Sequence, residues 1–90
     1  MVKENQKREE SGRECLDAGK ELILYNDDVN TFDYVIESLI EVCKHDDFQA
    51  EQCALIAHFK GKCPVLSGLP EELRPSCDEL GRRGLTVAIE

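Results

Sequence analysis

A four-residue apolar run, LILY at 22–25, stops abruptly at the polar residues Asn-Asp-Asp of 26–28. Such a short run, ended by turn-forming side chains, is typical of a buried β-strand followed by a polar turn. Beyond the turn, Asn30 or Thr31 can cap an amphipathic helix. The apolar residues at helical spacing are Phe32, Val35, Ile36, Leu39, Val42 and Cys43. The sequence therefore predicts a strand, a polar loop and a helix in close succession.

A second helix is predicted from about Phe48 to Lys60. Asp46 and Gln49 resemble a capping box at its start, and Gly61 is a typical stop signal at its end. The apolar residues of this segment wrap around more than one face of the helix. We therefore expect the second helix to lie centrally in the fold.

The remaining segments complete a small α+β domain. Residues 63–66 predict a short strand that belongs at a sheet edge or a strand start, because it contains Pro64. Pro70 suits the first turn of a third helix, which Pro75 is expected to kink or shorten. Alternating residues at 85–89 predict the last strand. The order β-α-α-β-α-β favours three helices packed on a three-stranded antiparallel sheet.

The beginning of the chain differs from the rest in composition. Residues 3–14 contain no large apolar side chain and mix both charge signs, so they bury too little surface to offset their ordering entropy. We expect a disordered, flexible tail at 1–19 and one domain at 20–90.

Charge and hydropathy exclude several function classes. The chain carries 11 Lys and Arg against 19 Asp and Glu, a net charge of −8. This charge argues against nucleic acids and anionic membranes as partners, because both require a basic face. No apolar run is long enough to span a bilayer, and the first residues lack the apolar segment of a signal peptide. These features predict a cytoplasmic protein.

The cysteines and the absent motifs argue against catalysis. The chain has five cysteines, an odd number, and their spacing includes no C-x-x-C pair and no zinc-finger pattern. We therefore expect inert free thiols. The sequence also has no nucleophile motif and no glycine-rich phosphate loop. We therefore expect no enzymatic activity, no cofactor and no bound metal.

The polar block at 26–31 fits three roles. It can be a turn with a helix cap, for which Asn and Asp are favoured in any case. It can be a degenerate calcium loop at 26–37, because Asn26, Asp28, Asn30 and Glu37 fall at the first, third, fifth and twelfth EF-hand places. Against that hypothesis, Thr31 stands where the loop needs glycine, and a strand precedes it. Finally, its acceptor side chains can receive an ammonium group.

Two histidines complete the candidate polar residues. His58 lies on the otherwise apolar second helix, where a histidine is either a partly buried structural residue or a ligand group. His45, between Lys44 and Asp46, is expected to be an ordinary surface loop residue.

Three segments resemble the ClpS family of bacterial adaptors, which hand N-degron substrates to a Clp AAA+ unfoldase. They are NDDVNTFDYVIESL at 26–39, AHFKGK at 57–62 and LTVAIE at 85–90. The resemblance covers about residues 20–90. It implies the same β-α-α-β-α-β domain and a tail that engages the unfoldase.

The resemblance also implies a binding site. Asn26, Asp28 and His58 would bind the α-amino group of the substrate's first residue, while Asp27 would bind or cap. Positions that match the family's side-chain pocket are Asn30, Thr31, Phe32, Val35, Ala54, Ala57 and Leu85. The implied ligands are N-degrons that begin with Leu, Phe, Tyr or Trp. The implied partner is the N-terminal domain of a ClpA-like unfoldase.

The sequence departs from the common pattern of the family inside this pocket. Asn30-Thr31-Phe32 replaces a Thr-Pro-Met segment, and Ala54 replaces a methionine of the second helix. Both changes replace side chains of the pocket by side chains of a different size. A further hypothesis is therefore an interaction domain that keeps the fold without an amine site.

Overall fold

The structure, a computed structural model, describes residues 19–90. The flexible tail expected at 1–19 lies outside the described residues, apart from residue 19. The elements in chain order are β1 (Lys20–Tyr25), α1 (Phe32–Cys43), α2 (Asp47–Lys60), β2 (Lys62–Gly68), α3 (Pro70–Arg82) and β3 (Thr86–Ile89). This order confirms the predicted β-α-α-β-α-β fold of the α+β class.

The three strands form one antiparallel sheet with β1 in the centre, in the order β2-β1-β3. Leu24 of β1 lies opposite Cys63 on one side and Val87 on the other. Pro64 lies on the edge strand β2, as predicted, and an edge strand tolerates a residue without an N–H because one of its sides has no neighbouring strand.

The core lies between one face of the sheet and the three helices. Leu22 and Leu24 of β1 are buried there, against Leu39 of α1 and Leu73 and Leu80 of α3. The other buried members of this cluster are Cys43, Ala50, Cys53, Ala57, Cys63, Val65 and Leu85. No aromatic side chain belongs to the buried apolar core of residues 19–90.

Local capping explains where α1 and α2 begin and where α2 ends. The Thr31 hydroxyl accepts a hydrogen bond from the Tyr34 N–H at 3.0 Å, and the Asp46 carboxylate accepts one from the Gln49 N–H at 2.7 Å. Gly61 ends α2 with φ of 96°, a left-handed conformation that favours glycine. These caps were predicted from the sequence.

The structure corrects the prediction for His45. Its side chain is only 5% exposed, and its Nε2 lies 2.8 Å from the carbonyl oxygen of Val65 in β2. The prediction of an ordinary surface residue is therefore wrong. The short connection between α1 and α2 turns the imidazole inward over β2, where it satisfies a strand carbonyl.

Pro75 does not shorten α3, which continues through it from Pro70 to Arg82. The carbonyl that loses its helical partner at Pro75 belongs to Glu71, four residues earlier. Glu71 is exposed in the first turn, so water can satisfy this oxygen.

Four of the five cysteines lie in the described part of the chain, and all four are free. Burial raises the pKa of the Cys43 thiol to about 11 and that of the Cys63 thiol to about 12. Thiols with such pKa values are poor nucleophiles near neutral pH. Among residues 19–90, no helix is long and apolar enough to cross a membrane.

Candidate functional site

A pocket of about 540 Å³ opens between the β1–α1 loop, the start of α1 and the second half of α2. Its apolar lining is Leu24, Phe32, Val35, Ala54, Leu55, Ala57 and Phe59. Its polar lining is Asn26, Asp27, Asp28, Asn30 and His58, with Tyr25 contributing a phenol ring. An apolar cavity with a few polar groups on one side is the usual form of a small-ligand site.

The pocket brings together eight of the ten residues named as site candidates from the sequence. The two that it does not include are Thr31 and Leu85. Thr31 caps α1 through its hydroxyl, and Leu85 is buried in the apolar core. Both positions thus support the pocket through the fold and do not line it.

The sequence did not identify Leu24, Tyr25, Leu55 and Phe59 as pocket residues. Leu55 and Phe59 lie one turn apart on α2 and were assigned to its general apolar surface. The signal that could have identified them was the apolar character of α2 on more than one face. One such face packs on the core, so a second one is available to line a pocket.

Asp27 organises the loop that forms the polar side of the pocket. Its carboxylate accepts hydrogen bonds from the backbone N–H groups of Val29 and Asn30, both at 2.9 Å. The Asn30 side-chain amide donates to the same carboxylate at 3.1 Å. Partial burial acts to raise the pKa of Asp27, but the hydrogen bonds from Asn30 and Val29 outweigh it and hold the pKa below its ordinary value.

The loop is also fixed to the rest of the domain. The Asn30 amide donates a second hydrogen bond to the Gly84 carbonyl at 2.9 Å, and the Tyr34 hydroxyl donates to the Arg83 carbonyl at 2.9 Å. At the other end of the loop, the Asn26 N–H donates to the Gly61 carbonyl. The loop therefore has a defined shape before any ligand binds.

Asn26, Asp28 and His58 differ from Asp27 and Asn30 because their side chains are not engaged in hydrogen bonds within residues 19–90. All three are exposed, and none makes a side-chain hydrogen bond or an ion pair within residues 19–90. The His58 ring contacts Phe59 edge to face, with 4.9 Å between ring centroids. The carboxylate, the amide oxygen and a neutral imidazole nitrogen can all accept hydrogen bonds from a ligand.

The geometry gives no support to the calcium hypothesis. Within the described part of the chain, no group of three or more His, Cys, Asp or Glu side chains is placed to hold a metal ion. The segment before the loop is the strand β1, whereas an EF-hand loop follows a helix. The Asn30 amide also faces the Asp27 carboxylate with its N–H₂ group, which cannot ligate a cation.

Comparisons with known proteins agree with the fold. The family model described as ATP-dependent Clp protease adaptor protein ClpS matches residues 20–88. A solved structure of Agrobacterium tumefaciens ClpS2 bound to L-phenylalaninamide superposes with a TM-score of 0.73 at 19% sequence identity. That match covers 81% of this chain and 95% of the Agrobacterium chain. A search of curated proteins found no significant match.

Proposed function

Since the chain belongs to the ClpS family of Clp protease adaptors, we propose that its pocket binds the free N-terminal residue of N-degron proteins for delivery to a Clp AAA+ unfoldase. Binding and release of a substrate require no covalent step, so the proposed role is that of an adaptor and not of an enzyme. The observation that carries the proposal is the set of three side chains at the pocket rim, Asn26, Asp28 and His58, whose acceptors are free of partners within residues 19–90.

These three acceptors suit an α-amino group. With a pKa of about 8, an α-amine is mostly protonated at neutral pH and presents three N–H donors on one positive nitrogen. Asp28 supplies the opposite charge, and Asn26 and neutral His58 accept the remaining hydrogen bonds. Asp27 is a poor candidate for direct binding, because its carboxylate already accepts hydrogen bonds from Val29 and Asn30.

The apolar part of the pocket suits a bulky side chain attached to that amine. Ala54 and Ala57 are buried and small, so the volume between α1 and α2 remains open. Leu, Phe, Tyr and Trp side chains would fill this space, and Phe32, which is 40% exposed, would cover them at the rim. L-phenylalaninamide, the ligand of the Agrobacterium protein, combines a free α-amine with an aromatic side chain.

Delivery requires a second surface, and for this chain we propose the N-terminal domain of a ClpA-like unfoldase as partner. We further propose that residues 1–19 take part in delivery and not in substrate binding. The described residues that line the pocket, 24–59, form the proposed substrate site without any contribution from residues 19–23. A cytoplasmic location follows from this role.

Isothermal titration with a Leu-initiated peptide and its N-acetylated form tests the amine site. Acetylation removes the charge and leaves the Asp28 carboxylate facing an amide. We expect a loss of about 2–4 kcal/mol, or at least thirtyfold in affinity. If both peptides bind within about threefold of each other, the pocket does not recognise an amine. Heat on addition of calcium would instead favour the calcium loop.

A further inference from the structure

All three phenylalanines of the chain lie outside the core. Phe32, Phe48 and Phe59 are 40%, 71% and 77% exposed. Large exposed aromatic side chains are informative because a folded chain normally buries them. Phe32 covers the pocket rim in the function proposed above, so the exposure of Phe59, which also lines the pocket, needs a separate explanation.

Phe59 occupies a particular place at the rim. It lines the pocket although most of its surface faces solvent, and its ring contacts the ring of His58. Leu55, one turn earlier on α2, also lines the pocket. These two side chains therefore form an apolar shelf, defined here as Leu55 and Phe59, that extends outward from the amine-binding side.

A substrate held in the pocket would place its second residue near this shelf. The amine nitrogen and the carbonyl carbon of the first residue are bonded to the same Cα, so the chain leaves the pocket close to the amine site. The next Cα follows at about 3.8 Å. The Phe59 ring centroid lies 4.9 Å from that of His58. A side chain attached to the second Cα of the substrate, next to the amine held by His58, can therefore reach the Phe59 ring.

We infer that Leu55 and Phe59 form a subsite for the side chain of the second substrate residue, with a preference for apolar and aromatic side chains. This inference rests on the proposed function. The ligand of the exposed Phe59 ring is then an aromatic side chain of the substrate, because two aromatic rings stack or pack edge to face. The polar main chain of the substrate remains in solvent at the rim.

Peptides that begin Leu-Phe and Leu-Ala, otherwise identical and with free amines, measure this preference. We expect Leu-Phe to bind the parent protein about three- to tenfold more tightly than Leu-Ala, because the contact between two aromatic rings increases affinity by about this factor. In Phe59→Ala the ratio of the two affinities should fall to within twofold of one. Reading the ratio within each variant cancels any general change in pocket affinity.

Two further variants control for nonspecific effects. Phe59→Tyr keeps the aromatic ring and should keep the ratio. Phe48→Ala removes an equally exposed phenylalanine from the same helix, but eleven residues away, which is about 16 Å along the helix axis and beyond reach of the second residue. Phe48→Ala should therefore also keep the ratio.

The outcomes separate the subsite from the proposed function. Equal binding of both peptides to the parent, an unchanged ratio in Phe59→Ala, or a loss of the ratio in Phe48→Ala would overturn the subsite while leaving the amine site intact. If neither free-amine peptide binds the parent, the proposed function itself is wrong and the subsite fails with it.

Discussion

Asp27 and Asp28 are neighbours with the same side chain, yet the structure predicts opposite consequences for their replacement by alanine. The Asp27 carboxylate accepts four hydrogen bonds within the loop, and Asp28 accepts none within residues 19–90. We therefore expect Asp27→Ala to reduce the stability of the fold. Asp28→Ala should instead remove substrate binding.

The size of the Asp27 effect follows from the groups that lose their acceptor. The N–H groups of Val29 and Asn30 resemble the free donors of a helix N-terminus, where removal of a capping side chain costs about 0.5–2 kcal/mol. The Val29 N–H is exposed and regains water, whereas that of Asn30 is partly buried. We expect the free energy of unfolding to fall by about 1–2 kcal/mol.

Asp28→Ala should change the free energy of unfolding by no more than about 0.5 kcal/mol, as is usual for exposed side chains without partners. Its affinity for a free-amine Leu peptide should drop by about 2–4 kcal/mol, because the ammonium loses its charge-assisted partner. Urea unfolding and fluorescence anisotropy on the two variants measure both quantities. A stability loss in Asp28→Ala as large as in Asp27→Ala, with parental binding retained, would refute the assignment.

The pH dependence gives an independent check on Asp27. Its pKa is lower in the folded state, so its contribution to stability is present above its unfolded pKa, near 3.8, and is lost as pH falls through the folded pKa. The stability difference between the parent and Asp27→Ala should therefore be constant at neutral pH and shrink below about pH 4. A difference that persists unchanged in acid would mean that the carboxylate charge is not involved.

Other predictions concern the pocket, the tail and the thiols. Ile and Val peptides should bind at least tenfold more weakly than Leu peptides, because their β-branch meets the pocket rim. Phe32→Ala should reduce this ratio in anisotropy titrations, and an unchanged ratio would show that Phe32 takes no part in selecting the side chain. Deletion of residues 1–19 should leave peptide affinity unchanged and abolish stimulated degradation of a fluorescent N-degron reporter, and full delivery would contradict this. Folding raises the pKa of Cys43 to about 11 and that of Cys63 to about 12, from about 9 in the unfolded chain, and so keeps both thiols protonated. Their contribution to stability is therefore complete below pH 9 and is lost as the pH rises through these folded-state values. The stability difference between the parent and Cys43→Ala in urea should therefore be smaller at pH 10 than at pH 7.

Much of the fold could be predicted because its signals are local. The caps at Thr31 and Asp46 and the left-handed Gly61 depend on a few adjacent residues, and the structure has them as expected. The change from strand to helical spacing after residue 25 is equally local. These signals fix the order of the elements, and the short connections between them leave few alternative arrangements.

Burial of single polar residues could not be predicted in this way. His45 is buried because its imidazole meets the carbonyl of Val65 in β2, twenty residues later in the chain. No pattern around His45 carries that information. Sequence position also failed to show that Thr31, between the pocket residues Asn30 and Phe32, does not line the pocket.

The placement of the aromatic residues links stability to the candidate site. Neither the three phenylalanines nor the two tyrosines belong to the buried core, and Tyr25, Phe32 and Phe59 line the pocket. A fully buried phenylalanine contributes about 1.5–3 kcal/mol, so a small core of Leu, Ile, Cys, Ala and Val forgoes a sizeable stabilisation. A ligand in the pocket would bury the same rings and raise the stability of the folded state by mass action. Because Phe59 is mostly exposed in the unliganded fold, its replacement tests recognition with little interference from unfolding.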